Sequence, residues 1–337
     1  MMLNSKWIKL SIDANYFVAG ERVSGEVAIN NYDPGCSLLL KSYGTEKVTI
    51  QKPGSPEKVF SNSIYKLSEK LGEIENLRAI YPFSFQLPAY SPATFEIQDE
   101  DPNGQKVHAQ VSYHLELSVL RRSQVEGSDS LDFIVFNKAT RIILQPSLSF
   151  SSELNSCWCF ARGISEISIE FIEKSNITCK QVKNFGISIK SQANANLASV
   201  IAQVTCDIDF VVPGEKPLHS RKIISRFVPE IESIKRASKS LENFEFVFEA
   251  AFGSTDLGKY PVSNKTALLK SEYKIQVFAI YDVGFRSKRA EGEAILHVDP
   301  NITKAEKLKY PDGWDPEERN LKSFLVESND HFTPIEA

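Results

Sequence analysis

The chain has 337 residues, of which 39 are basic and 43 acidic, so its formal net charge is −4. This balance disfavours a general binder of nucleic acids or of anionic membranes. Apolar residues make up 42% and charged residues 24% of the chain, a composition typical of soluble globular proteins, and its length predicts two domains.

The first residues, MMLNSKWIKLSID, contain neither the apolar core nor the cleavage site of a signal peptide. No apolar run reaches the roughly 18 residues of a membrane-spanning helix. We therefore expect a cytoplasmic protein without a transmembrane segment. The cysteines are odd in number and scattered, which favours reduced thiols over a disulfide framework. They are Cys36, Cys157, Cys159, Cys179 and Cys206.

The first predicted elements are strands joined by turns. Apolar and polar side chains alternate over residues 8–12 and again over 23–29, which indicates strands with one buried face. Gly20 lies between them and is expected at positive φ in a turn. Gly25 falls inside the second strand, which predicts a bulge or a close approach of another chain segment.

Further along the chain the same alternation predicts more strands, and helix is scarce. It returns at 111–119, 167–171, 200–210, 244–248 and 273–279. Strands separated only by turns and short loops favour antiparallel sandwiches over the βαβ repeats of nucleotide-binding enzymes.

Two segments have apolar residues at helical spacing. Leu67, Leu71 and Ile74 predict a helix over residues 64–78, and a weaker helical pattern lies at 232–241.

The strand pattern is interrupted after residue 137, where Pro146 and several serines precede the next strands. We therefore predict an all-β protein of two consecutive antiparallel β-sandwiches. The boundaries are 1–145 for the first, 146–156 for a hinge, 157–300 for the second and 301–337 for an extended acidic tail. The first core should contain Val23, Val27, Phe83, Phe85, Tyr113 and Leu115.

Three blocks of sequence, in order, carry a resemblance to the arrestin-fold family. The first is the Y-x3-GE-x-VSG-x-V run at Tyr16, Gly20, Glu21, Val23, Ser24, Gly25 and Val27. The second is YPFSFQLPAYSPATFE at 81–96, followed by VHAQVSYHLELSVLRR, and the third is CWCFARGISEISIE at 157–170. They are most similar to arrestin-domain-containing (α-arrestin) proteins, and more weakly to the arrestin-like subunit of retromer. Beyond residue 171, NITCKQVKNFGISIKS lacks the proline-glycine and acid with which the second domain of the family usually opens.

The resemblance implies an arrestin-like N-terminal and C-terminal domain and a function without catalysis. Arrestin-fold proteins are adaptors that bind receptors, transporters, coat components or ubiquitin ligases. The expected partners are therefore proteins, namely cargo, coat or complex subunits, at endosomal or plasma membranes or within a large assembly. The Pro-Pro-x-Tyr motifs common in α-arrestin tails do not occur in this sequence. The alternative is a fixed structural subunit of a large multiprotein assembly.

Motifs for catalysis or metal binding are not found in the sequence. Cys157 and Cys159 are separated by one residue, a poor spacing for a tetrahedral metal site, and the histidines form no HExxH cluster. There is no GxSxG elbow and no phosphate-binding loop. The acids Asp99, Glu100 and Asp101 are interpreted as a solvated hairpin. We expect no enzyme activity, cofactor or metal, and an enzyme on a sandwich scaffold remains a third hypothesis.

The segment 213–239 has seven basic residues and three acids. One interpretation is a solvated loop and helix face. The other is a patch for phosphopeptides or, weakly, for anionic lipid headgroups. The basic residues are Lys216, Arg221, Lys222, Arg226, Lys235, Arg236 and Lys239.

The tail, residues 301–337, has no alternating pattern but contains several large apolar side chains. A purely solvating tail rarely carries so many. We predict an extended segment that lies along its own sandwich or docks on a partner, with Tyr310, Trp314 and Phe324 as anchors.

Overall fold

The computed structural model describes residues 5–100, 104–137, 147–157, 160–172, 177–191, 196–230, 243–252, 262–283, 286–300, 310 and 312–328. Over these ranges the chain is all-β and has no helix, as the alternating pattern predicts. No helix in the described part of the chain is long and apolar enough to cross a membrane.

The strands before residue 137 are β1 (Trp7–Ile12), β2 (Tyr16–Val18), β3 (Arg22–Asn30), β4 (Ser37–Gln51), β5 (Lys58–Glu73), β6 (Arg78–Gln86), β7 (Phe95–Glu100), β8 (Lys106–Arg121) and β9 (Gln124–Phe136). The next strands are β10 (Ser147–Cys157), β11 (Phe160–Phe171), β12 (Ile177–Thr178), β13 (Gln181–Ser191), β14 (Asn196–Phe210), β15 (Leu218–Phe227), β16 (Asn243–Phe252), β17 (Asn264–Lys265), β18 (Leu269–Val283), β19 (Arg286–Leu296) and β20 (Val298–Asp299). The last are β21 (Glu317–Glu318), β22 (Lys322–Phe324) and β23 (Glu327–Ser328).

The first nine strands form two sheets that share a core. One sheet has the order β1-β3-β6, and the other has the order β2-β9-β8-β4-β5, with β7 also paired to β8. The ring centroids of Tyr65 on β5 and Phe85 on β6 lie 6.3 Å apart, so the two sheets contact each other through their buried faces. The predicted core is confirmed, since each of its six residues is at most 1% exposed.

Strands β10 to β20 form the second set. One sheet has the order β10-β11-β13-β16, and the other joins β15, β14 and β18, with β17 and β19 paired to β18. The hydroxyls of Ser165 and Tyr281 lie 2.7 Å apart across the two sheets. A Cβ added to Gly292 would lie 2.9 Å from the Phe150 ring, which shows how closely the sheets approach.

The segment interpreted as a hinge, 146–156, is a strand from residue 147 onward. β10 pairs antiparallel with β11, with Ser147 opposite Glu170 and Phe150 opposite Ile167. Its serines alternate with Leu148 and Phe150, which pack against the core. The serine run therefore gives a strand with a polar outer face.

The helix predicted over 64–78 is wrong, because these residues form most of β5 and the start of β6. The register between β4 and β5 shifts twice, and each shift leaves one extra residue on β5, first Ile64 and then Leu71. Each bulge moves the alternation out of phase by one residue. Buried residues consequently recur at spacings of three and four, which imitate a helical face. The second predicted helix, 232–241, lies outside the described residues.

Two glycine predictions are confirmed. Gly20 has a φ of 84°, a conformation that favours glycine. A Cβ on Gly25 would lie 2.1 Å from the carbonyl oxygen of Ser11 and 2.8 Å from the Phe83 ring, so Gly25 is a close-approach position.

Candidate functional site

The described part of the tail, residue 310 and residues 312–328, lies along the edges of both N-terminal sheets, and we call it the C-terminal strap. β21 and β22 pair parallel with β6, with Glu317 opposite Ala79 and Lys322 opposite Phe83. β23 pairs antiparallel with β5. The strap thus adds backbone hydrogen bonds to two strand edges that the first nine strands leave open.

An aromatic cluster fixes the beginning of the strap. Trp314 is 8% exposed, and its ring centroid lies 5.1 Å from that of Trp7 and 4.7 Å from that of Tyr310. Trp314 Nε1 donates a hydrogen bond of 3.2 Å to Asn30 Oδ1, and the Tyr310 hydroxyl donates to the Glu26 carboxylate. Apolar burial and a satisfied polar atom are the usual requirements for a buried tryptophan.

The alternation of side chains along β3 explains which residues contact this aromatic cluster. Glu26, Ala28 and Asn30 are two residues apart and therefore point to the same face of the sheet. Ala28 is fully buried beneath the two tryptophans, and Trp7 lies opposite Asn30 in the strand register. Burial, followed by the Glu26 carboxylate, raises the pKa of the Tyr310 hydroxyl well above its usual value.

The second half of the strap is held by polar and apolar contacts. The Arg319 amide donates a 2.9 Å hydrogen bond to the Ile80 carbonyl, and its guanidinium lies 2.9 Å from the Glu75 carboxylate. The hydroxyls of Ser84 and Ser323 are 2.9 Å apart, and Phe324 packs against the main core. The three predicted anchors therefore all lie on the protein's own first pair of sheets, Tyr310 and Trp314 together and Phe324 further along.

Two basic side chains of the segment 213–239 pair with acids of the protein itself. Arg221 makes two hydrogen bonds to Asp207, of 2.6 and 2.8 Å, and Lys222 lies 2.7 Å from Asp99. Burial acts to raise the pKa of Asp207, but the hydrogen bond and charge of Arg221, together with the charge of Lys274, contribute to a net lowering. Lys216 and Arg226 are exposed. The remaining three predicted members, Lys235, Arg236 and Lys239, lie outside the described residues.

A buried polar contact joins the two halves of the chain, and it centres on Glu46 of β4. Glu46 is 0% exposed and accepts hydrogen bonds from the Leu268 amide, at 2.9 Å, and from the Thr266 hydroxyl. Asn264 donates to the Ala93 carbonyl at 2.8 Å and accepts from the Ala93 amide at 3.3 Å. We call these contacts the junction. Burial raises the pKa of the Glu46 carboxyl above its usual value, while its hydrogen bonds act in the opposite direction.

Ion pairs also join the two halves of the chain. Glu215 lies 2.7 Å from Lys52 and 2.6 Å from Lys58, and hydrogen bonds from these lysines lower its pKa to about 2. Asp99 contacts both Lys222 and Ser220. The interpretation of Asp99 as a solvated acid is therefore wrong, because the second half of the chain covers its carboxylate. Glu100 is exposed, and Asp101 lies outside the described residues.

A polar cleft opens beside these pairs. Its volume is about 700 Å³, and both halves contribute to its lining. Both acidic and basic side chains line it, among them Glu57, Asp99, Lys106 and Lys222. This lining offers partners for ion pairs and hydrogen bonds.

Sequence reasoning missed Glu46, although a signal was present. Glu46 is in phase with Val48 and Ile50, and all three alternate onto the buried face of β4. An acid at a core position of a strand requires buried partners, so its phase marks it as a junction residue.

Two of the thiols that the structure describes, those of Cys179 and Cys206, are unsuited to nucleophilic chemistry. Burial raises the pKa of Cys179 and of Cys206 to about 12, so neither is a thiolate at neutral pH. The side chains of Cys157 and Cys159 lie outside the described residues. No cluster of three or more His, Cys, Asp or Glu side chains suited to a metal ion occurs over the described ranges.

No protein-family model and no curated protein matches the chain. The arrangement of the strap and the junction is therefore the basis on which a function is inferred.

Proposed function

We propose that the protein is a non-enzymatic, arrestin-like adaptor that binds other proteins in membrane-protein trafficking or signalling. The observation that carries the proposal is the way in which β6 holds the strap. A short extended segment is bound through backbone pairing at a strand edge, with tryptophan and tyrosine side chains seated in a pocket. This combination of edge pairing and side-chain anchoring is a common mode of peptide recognition.

The residues that hold the strap also suit a segment of another protein. The β6 edge supplies backbone hydrogen-bond donors and acceptors. Trp7 and Ala28 supply an apolar surface. The side chains of Glu26 and Asn30 supply two further hydrogen-bond acceptors. A partner segment would be extended and would carry an aromatic residue with a hydrogen-bond donor, as Tyr310 and Trp314 do. Candidate partners are cargo or coat proteins at the cytoplasmic face of endosomal or plasma membranes, which accords with the sequence resemblance.

The test compares affinity purification of the full chain with that of a chain ending at residue 309, by quantitative mass spectrometry. If the β6 edge is the adaptor site, the shortened chain should capture the partners of the full chain in greater yield, because the strap no longer competes. In the shortened chain, Trp7→Ala should abolish this gain, and the matched control Asn184→Ala, on the half-exposed outer face of β13, should keep it. An unchanged partner set and yield after strap removal would contradict an adaptor site at β6.

A fixed structural subunit is the second candidate, and an exposed aliphatic patch favours it. Val182 and Val247 on the β10-β11-β13-β16 sheet, and Ile172 just after β11, are 50–58% exposed. Gly186 lies opposite Val247 and close to Ile172, so the side chains of Ile172 and Val247 are neighbours. Exposed apolar patches are frequent at permanent interfaces. A structural subunit should be recovered with one large complex, in constant stoichiometry, after high-salt washes. That result would favour this function over the adaptor.

A further inference from the structure

We propose that Tyr310 is a phosphorylation site and that its phosphorylation releases the C-terminal strap from β6. The hydroxyl of Tyr310 donates its proton to the carboxylate of Glu26, and its ring packs on Trp314 with a centroid distance of 4.7 Å. This hydrogen bond ties the beginning of the strap to β3. The inference concerns the strap alone and does not depend on whether the protein is an adaptor.

Phosphorylation would reverse the electrostatics of this contact. A phosphotyrosine has no hydroxyl proton to donate, and it carries a charge of about −1.5 to −2 at neutral pH. Its oxygens would lie against the Glu26 carboxylate, which is itself half-buried on β3. Two acceptors of the same charge repel each other, so the docked position of residue 310 becomes unfavourable.

The loss at residue 310 extends to the rest of the aromatic cluster. Trp314 is buried between Trp7 and Tyr310, so displacement of the Tyr310 ring exposes one side of its indole. Downstream, β21 has two residues and β22 has three. Strand pairings this short have little stability of their own and depend on the side-chain contacts next to them.

The modification takes place on the undocked strap. A tyrosine kinase with a bound nucleoside triphosphate is the required co-reactant. The Tyr310 oxygen attacks the γ-phosphorus, the new O–P bond forms, the bond to the β-phosphate oxygen breaks, and the nucleoside diphosphate leaves. The hydroxyl proton passes to the catalytic base of the kinase. Because the docked hydroxyl is engaged by Glu26, the kinase acts on the minor population in which the strap is released. The phosphate then prevents the strap from docking on β6 again.

The test uses the full chain with phosphotyrosine installed at position 310 by genetic-code expansion. Hydrogen exchange of residues 317–324 is measured by mass spectrometry and compared with that of the unmodified chain. We expect exchange to be at least about tenfold faster in the phosphorylated chain, since a half-buried like-charge contact replaces a hydrogen bond. Wild-type protection in the phosphorylated chain would overturn the proposal.

Two variants separate charge from simple loss of the hydroxyl. Tyr310→Phe removes the hydrogen bond without adding charge, so its exchange should rise by no more than about threefold. Glu26→Lys should restore protection to the phosphorylated chain, because the lysine pairs with the phosphate. The proposal fails if Tyr310→Phe releases the strap as fully as the phosphate does, or if Glu26→Lys gives no recovery.

The accessibility of Tyr310 is tested with a broad-specificity tyrosine kinase and ATP, with sites mapped by mass spectrometry. Wild-type chain should accept phosphate at residue 310, and Trp314→Ala should accept it faster because its strap undocks more often. Absence of phosphate at residue 310 in both chains, or equal rates in the two, would refute modification through the undocked strap.

Discussion

Among single residues, Glu46 should make the stability of the protein depend on pH. Its carboxyl is fully buried at the junction, and burial raises its pKa above the ordinary value of 4.5. As the pH rises through 4.5, the unfolded chain loses this proton before the folded chain does. The free energy of unfolding therefore falls with rising pH until the raised folded-state pKa is passed, and stays lower above it.

Glu46→Gln should remove this pH dependence and keep an oxygen that accepts from Leu268 and Thr266. Denaturant titrations from pH 4 to pH 8 should give a free energy of unfolding for wild type that declines relative to that of Glu46→Gln. Glu46→Ala, by contrast, should cost about 1–3 kcal/mol, because it leaves the buried Leu268 amide without an acceptor, whereas the Thr266 hydroxyl can still donate to the Leu269 carbonyl. If the free energies of unfolding of wild type and Glu46→Gln differ by the same amount from pH 4 to pH 8, the pKa of Glu46 is not raised in the folded protein.

Gly25 is required by space and not by backbone conformation. Gly25→Ala should destabilise the protein by about 1–3 kcal/mol, because its Cβ would meet the Ser11 carbonyl and the Phe83 ring. Thermal unfolding measures the effect. The matched control is Gly72→Ala on β5, where the nearest atom lies 3.3 Å away and a small shift of the Tyr81 ring is enough. Equal losses of stability in the two variants would show that the close approach at Gly25 is not the cause.

At the scale of elements, the strap should contribute to the stability of the first pair of sheets. Trp314→Ala should lower the free energy of unfolding by about 3 kcal/mol, the usual cost of truncating a buried tryptophan. Leu325→Ala is the control, since Leu325 is 88% exposed. Chemical denaturation of both variants measures these free energies of unfolding. If Trp314→Ala unfolds like wild type, the strap is only loosely held on β6.

The sequence predicts the regular strands well and fails where strands are irregular or very short. The alternation at 111–119 and 200–210 appears in the structure as the long strands β8 and β14. The bulges at Ile64 and Leu71 cannot be read from one chain segment, because a bulge exists only relative to the paired strand.

For the candidate site, the sequence likewise predicts one part, the anchor residues, and fails to predict another, the strand on which they dock. Tyr310, Trp314 and Phe324 are conspicuous as large apolar groups in a polar tail, so they could be selected as anchors. Their docking position on β6 depends on pairings of two or three residues to a strand far away in the sequence. Such short segments show no period, and nothing local specifies their partner.

At the scale of the whole molecule, the junction should couple the unfolding of the two halves. Asn264→Ala removes both hydrogen bonds to Ala93 and should cost about 2 kcal/mol, because the Ala93 backbone is left buried without partners. Weaker coupling should appear in calorimetry as a broadened or divided transition. Asn184→Ala, with a half-exposed side chain on β13, should leave one unchanged transition. A single sharp transition for Asn264→Ala at the wild-type temperature would contradict this role of the junction.

The pairing of β6 with the strap also determines the order in which this molecule can be completed on the ribosome. Ser84 and Ser323 contact each other across 239 residues of chain. At about 5–20 residues per second, translation takes on the order of ten to fifty seconds to cover that distance. Throughout that interval the nascent chain presents an unpaired β6 edge, to which another nascent chain or a chaperone can pair. A message cut short before codon 314 would make this exposure permanent, and its product should keep an open β6 edge that pairs with extended segments of other chains, although every strand of the first two sheets before the strap had been synthesised.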